Sequence, residues 1–571
     1  MKQGKPIILL LTIFFAAVVV VFGRVELRKW NFPFSVEVIS GNAKEELRCI
    51  EIDEEYYVFL PSYAEREKTH FLTNFLYRVY IDDQLLTAET TCADFPVNTK
   101  LKLYFRSLDH DGQRTVTILQ SANVPTMYID TASGQIDHIH AQKGNKESGT
   151  MRLYSVDGQL ENMVVVESLQ GRGNSTWKFS NKKPYSLRLS AETDLLGMGS
   201  ANRWVLLANS FDGSHLKNKM VYDLAENAGM PYAPNGQWMD LYLNGSYAGL
   251  YLLSERNEIH PNRVDLPAES SFLVSWELEH RMLAQGYPYV KTERGTAIRV
   301  HQSALALEEI QNLWQSVENA VFAEDGIDPI TGKPWDELID LDSWAMLFLI
   351  DEISGDYDGG AISKFFYYSE QDGSGKIYAG PVWDKDDSLA KDHWTVSSPN
   401  AIIASRSYEK NGVEWRLFAG LYQKEAFSSR VTEIYQRTIL PLMEELYMSG
   451  IEEYESQISQ AAWVNGKRWN QEYTKESSLV IRDYIRKRMD FFDAYWIKKE
   501  EFCHIKVGDP YNSAYGEFTY GEFAVRPGEY LPELPQYEGF DWFAVDSDRP
   551  FDVSQPVYEN VYIMLKALDD L

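Results

Sequence analysis

Between residues 35 and 119 the chain alternates apolar and polar positions in short runs: SVEVI (35–39), YYVFLP (56–61), LYRVYI (76–81), LKLYF (101–105) and TVTIL (115–119). Period-two alternation lines one face of a strand with apolar side chains. Turn signals such as Asp82-Asp83 and Asp109-His110-Asp111-Gly112 separate the runs. This pattern predicts a β-sandwich-like module over residues 24–123. It carries no motif with chemistry, so its expected role is spacing or recognition.

The pattern changes near Val124. MDLYLNGSYAGLYLLSE (239–255) predicts a hairpin turning at Asn244-Gly245, and SFLVSWELE (271–279) a further strand. From 305 to 350, and again from 413 to 500, apolar residues recur at helical spacing. Strands with one helix followed by helices predict an α+β body over residues 124–500, strand-rich to about 280 and helical beyond. Inside the helical part lies a contrasting stretch, Asp342 to Ala390. An apolar run (Trp344 to Ile350) reads as a buried helix leading to Glu352, and the acidic turn Gly355-Asp356-Tyr357-Asp358-Gly359-Gly360 follows. The strand FFYY (365–368), a Gly-rich tip at 372–375 and the strand KIYAGPVW then lead to Trp383-Asp384-Lys385-Asp386-Asp387. A hairpin folds its ends together, so two carboxylate clusters are brought close and repel unless a cation joins them. Oxygen-only ligands favour Mg²⁺ or Mn²⁺ over zinc.

A second motif is GRGNSTWKFSNKKPYSLRL (171–189). Gly171 and Gly173 allow close backbone approach, and a Gly-rich turn followed by a strand ending in a basic residue is a plausible phosphate cradle. Lys183 and Arg188 are the candidate clamps; a guanidinium can hold phosphate bidentately. His138 and His140 are read on one strand face, without a third metal ligand in view. Arg468, Trp469 and Arg486 read as core and ion-pair positions.

Charge narrows the partners. The 571 residues include 55 basic and 84 acidic side chains, a net charge of −29. Nucleic acid is excluded as a partner, because phosphates need Lys and Arg to neutralise them. Cations and basic proteins are favoured. Three cysteines are too few for a disulfide scaffold, although Cys49 and Cys92 fall in one β module and could pair. At the start, Lys2 and Lys5 precede the apolar run from Ile7 to Gly23, with Arg24 and Arg28 after it. That profile describes a signal anchor or a cleaved signal peptide over residues 1–23. The remainder is then expected outside the cytoplasmic membrane.

The stretch from Asp342 to Ala390, with Glu352, Asp358, Ser363, the aromatic strand and GPVWDKD, resembles the spore coat protein H (CotH) kinase family. So do 171–189, TDLLGMG, WVLLANSFD and LKNKMVYDLA. The resemblance covers roughly residues 124–500. It implies an atypical, two-lobed protein-kinase-like domain (smaller lobe about 124–280, helical lobe about 281–500) with ATP between the lobes. It implies Asp358 as the residue facing the acceptor hydroxyl, Asp384 and Asp386 as ligands of Mg²⁺ or Mn²⁺, Arg188 or Lys183 on the phosphates, and Glu255 in a hinge-like position near the nucleotide. Two departures stand out: Asp356 where the family carries Asn, and Lys385 where it carries an aromatic residue. The segment LPELPQYEGFDWFAVDSDRPFDVSQPVYENVYIMLKAL (531–568), within a small β module at 511–571, resembles the Listeria–Bacteroides surface repeat through Trp542, Phe551-Asp552 and Pro556-Val557-Tyr558. Such modules imply a Gram-positive cell surface. The expected function is transfer of the ATP γ-phosphate to Ser/Thr of basic, Ser/Thr-rich secreted or surface proteins. The alternative is a catalytically silent surface binding or adhesion protein that keeps the kinase-like fold.

Overall fold

The computed structural model describes residues 33–568, apart from 42, 75–76, 108–110, 357–361, 370–374, 391–401, 403–407, 411–412, 416, 471–474, 510–517, 532–533, 535 and 546. The apolar run at 7–23 and Asp358 therefore lie outside the described residues. The fold is a multi-sheet α/β arrangement. It divides into two compact units, each assembled from separated stretches of chain.

The first unit comprises Met1–Ala191, Trp238–Tyr251 and Ile458–Glu472. The alternating runs do form strands. Phe34–Ser40 is the centre of a three-stranded sheet, and Glu55–Leu60 lies parallel to Asp111–Gln120 within a six-stranded one. Their inward residues (Val36, Val58, Val79, Leu103, Ile118) share one core with Tyr128, Tyr154 and Tyr242 from later strands. A buried link adds to this: Arg152 on strand Lys146–Tyr154 grips Glu45 through two hydrogen bonds of 2.6 and 2.7 Å. Thr126–Thr131 pairs with Lys146–Tyr154 on one side and in parallel with Gly236–Leu243 on the other. Asn244 and Gly245, both at positive φ, turn the chain into Ser246–Glu255, as the Asn-Gly signal predicts. Cys49 and Cys92 are buried free thiols, not a disulfide. His138 and His140 sit on the short helix Asp137–Ala141 instead of a strand, and His140 Nε2 hydrogen-bonds the Tyr185 hydroxyl at 2.7 Å.

The second unit comprises Glu192–Gln237, Leu252–Gln457 and Tyr473–Leu571. Its central sheet runs Tyr289–Lys291, Ala297–Ser303, Ser271–Trp276, Phe365–Ser369, Ile377–Ala379, all antiparallel. The aromatic hairpin is in register as Phe366↔Ala379 and Tyr367↔Tyr378. Helix Leu341–Ser354 packs beside it. Asp340 caps its start by accepting from Ser343 N at 2.8 Å, and Gly355, at φ 61°, closes its end. From Ser343 to Ser354 every residue of this helix but Met346 is buried, which is the signature of an internal helix. Trp276, Trp314 and Trp344 all pack on Phe366, with centroids 4.8–5.0 Å from its ring. Cys503–Asp509, Phe518–Val525, Phe540–Ala544 and Val561–Ala567 form a separate four-stranded sheet with its own core around Ile505, Trp542 and Ile563. Among the described residues no helix is long and apolar enough to cross a membrane.

Candidate functional site: a charge cluster at the end of a buried helix

Helix Leu341–Ser354 ends in two acidic residues that have no access to water, Asp351 and Glu352. A carboxylate buried without a partner costs several kcal/mol, so each must be matched. Glu352 is met by Arg488 from helix Lys475–Phe492, whose Nη2 donates to Glu352 Oε2 at 3.1 Å and also to the Glu352 carbonyl. The Arg488 guanidinium lies 4.1 Å from the Phe492 ring centroid. Asp351 is met by two lysines, Lys385 Nζ on Oδ1 at 2.7 Å and Lys364 Nζ on Oδ2.

Lys385 also donates to Asp356 Oδ2, in the acidic turn. One ammonium thus joins the two ends of the hairpin. Its backbone is held on both sides: Lys385 N donates to Asn218 Oδ1 at 2.7 Å, and the Ser388 hydroxyl donates to the Lys385 carbonyl at 2.6 Å. Leu389 N then donates to Ser354 O at 2.7 Å, fastening the turn to the helix end. Lys364 is fixed from the sheet, its carbonyl accepting from Trp276 N at 2.9 Å. Asp351, Asp356, Lys364 and Lys385 are each at most 2% exposed. Burial raises the Asp356 pKa, against the pull of Lys385, and the charges of Asp384 and Asp387 add to the rise. Burial, with the neighbouring charge of Lys385, drives the Lys364 pKa well down.

The outer edge of this cluster holds Asp384, which is exposed and accepts from the Ser363 hydroxyl at 3.0 Å. Ser363 and Asp384 both have left-handed backbones (φ 59° and 63°). Such conformations cost of order 1 kcal/mol outside glycine and concentrate at functional turns. Asp386 lies partly buried next to Lys385. Asp358 is outside the described residues.

The remaining candidates are carried by other elements. Glu255, in the second unit, is occupied: Arg263 Nη1 donates to Oε1 at 2.8 Å and Asn235 N to Oε2 at 2.9 Å. Burial pushes its pKa up to about 7, with Arg263 opposing. Gly171, Gly173, Lys183 and Arg188 belong to the first unit. A Cβ on Gly171 would sit 2.2 Å from the Trp177 ring, so that glycine makes room for an indole. Gly173 takes φ 76°, and the short helix Ser175–Phe179 comes between the glycines and strand Tyr185–Asp194. Lys183 Nζ donates to Trp177 O at 2.6 Å and Arg188 Nε pairs with Glu167 at 2.7 Å on the surface. Lys182 is the buried lysine of this motif, donating to Leu250 O.

The buried carboxylates do not fit a divalent cation as they stand. Both oxygens of Asp351 and one of Asp356 are engaged by ammonium groups. Among the described residues no three Asp, Glu, His or Cys side chains are grouped to hold a metal ion.

Asp351 and Lys364 were missed by sequence reasoning, yet each left a signal. A charged residue inside a helix that is apolar all round must be buried, and so must a lysine directly preceding an all-apolar strand. Comparison with curated proteins returns no match. Comparison with family models matches residues 169–492, more than half of the chain and including both motifs, to CotH kinase protein. The chain belongs to the CotH kinase family.

Proposed function

We propose that this chain is a kinase-like protein of the cell surface that engages ATP through its CotH domain and carries its γ-phosphate to Ser/Thr of basic surface or secreted proteins. One observation supports the site: the acidic turn and the Trp383–Asp387 turn, 29 residues apart at Asp356 and Lys385, are joined side chain to side chain within the family-matched segment. In this reading Asp358 orients the acceptor hydroxyl, and Asp384 and Asp386 form the carboxylate edge facing ATP and its Mg²⁺ or Mn²⁺, the cofactors the family suggests. The phosphates fall to Lys183 and Arg188, and Glu255 stays a hinge-like position near the nucleotide. A kinase-like two-lobed layout, an anchor or signal at 7–23, and a surface-repeat character for 531–568 belong to the same proposal. The net charge of −29 supports a basic partner.

A second reading, a silent surface binder with a kinase-like fold, is favoured by the neutralisation of Asp351 and Asp356 by lysines. Transfer of labelled γ-phosphate to a basic Ser/Thr-rich peptide separates the two. If the protein is a kinase, Asp358→Asn lowers transfer roughly 10²–10⁴-fold with ATP affinity retained. Equal silence of wild type and variant, with ATP still bound, leaves the binder.

A further inference from the structure

We infer that Lys385 is a resident cation: its ammonium group takes the place of a divalent metal between Asp351 and Asp356. This rests on the geometry of the charge cluster and not on the kinase-like reading.

The charges decide it. Asp351 and Asp356 are each joined to a lysine, Asp351 to both Lys364 and Lys385, so the buried acids are already matched by bases. A divalent ion entering between the carboxylates would add positive charge away from water, and the displaced lysine would be stranded in the core. Removing ions of that size from water costs several kcal/mol each, even after relaxation. Hard cations also demand about six oxygen ligands, and the Asp351 oxygens are both spent. Lys385 is not a side chain that has drifted in from the surface. Asn218, Ser388 and the Leu389–Ser354 bond hold its backbone, and its side chain is 3% exposed. Asp356 and Lys385 contact each other directly. Without a lysine, Asp356 would be a buried carboxylate facing the charges of Asp384 and Asp387 with no base beside it.

The test uses the full chain and Mn²⁺ alone, followed by the free-ion magnetic resonance signal and by thermal unfolding. Wild type is expected to take up no Mn²⁺ at this site, whereas Lys385→Ala, which vacates the space between Asp351 and Asp356, gains a saturable Mn²⁺ site and a Tm that rises with Mn²⁺. Lys385→Arg, which restores a cation, gains none. Should Lys385→Ala fail to fold, Lys385→Gln serves the same purpose. Mn²⁺ binding by wild type that Asp356→Asn abolishes, or no gain in the vacated variants, overturns the inference.

Discussion

Two stretches of this chain carry basic and acidic residues in patterns associated with phosphate chemistry, and the structure uses them in opposite ways. Between Gly171 and Arg188 the two candidate clamps, Lys183 and Arg188, are spent locally and are not fully buried. Lys183 bonds a backbone carbonyl, and Arg188 pairs with Glu167 at side-chain exposures of 50% and 45%. Between Asp351 and Asp387 the charges are buried and shared, one lysine serving two carboxylates. The difference is one of dielectric. An exposed pair is screened and contributes about 0–1 kcal/mol, whereas breaking a buried pair strands a charge and costs about 3–5 kcal/mol. The first stretch can therefore exchange partners for a ligand, and the second is a fixed part of the fold.

This contrast can be broken most forcefully at Arg488. Arg488→Met removes the partner of Glu352, both fully buried, and is expected to cost about 3–5 kcal/mol in denaturant unfolding. A loss below about 1 kcal/mol would show that these buried charges are not held as the geometry describes.

A smaller effect is expected at Glu255. Burial raises its pKa from 4.5 to about 7. Between those values the folded chain binds a proton that the unfolded chain releases, so the contribution to stability is full at low pH and is lost as pH rises through the window. Glu255→Gln should flatten that fall, by at most about 3 kcal/mol, in unfolding midpoints compared at about pH 5 and pH 8. An unchanged slope would show that Arg263 keeps the carboxylate ionised throughout.

The least effect is expected at Arg188. Arg188→Ala should change stability by less than about 1 kcal/mol, and less still at high salt. If this variant also loses ATP binding while keeping its Tm, the phosphate-clamp role is supported and the contrast between the two stretches becomes sharper.

Much of this was legible in the sequence because it depends on local pattern. The alternating runs became strands, Asn244-Gly245 became a turn, and the apolar run after Asp342 became an internal helix. Glu352 could be singled out, but its partner could not, because Arg488 lies 136 residues further on and no periodicity links them. Lys385 was visible as an intruder among carboxylates, and only tertiary packing reveals that it faces Asp351 and Asp356 together. The Gly-rich loop reads ambiguously for a related reason. A glycine that admits a phosphate and a glycine that admits an indole look alike in one sequence, and at Gly171 the structure shows the indole.

Lys385 and Asp356 are bound to each other as a unit, and a double-mutant cycle measures that directly. Lys385→Met alone leaves the buried carboxylates short of a cation and should destabilise strongly. Asp356→Leu alone should destabilise less, since Lys385 keeps Asp351. The double variant should be more stable than the sum of the two losses predicts, with a coupling of roughly 2–3 kcal/mol, as expected for contacting residues in one network. Losses that add to within about 0.5 kcal/mol would mean that the two side chains act independently, and the account of Lys385 as the internal cation of this site would be wrong.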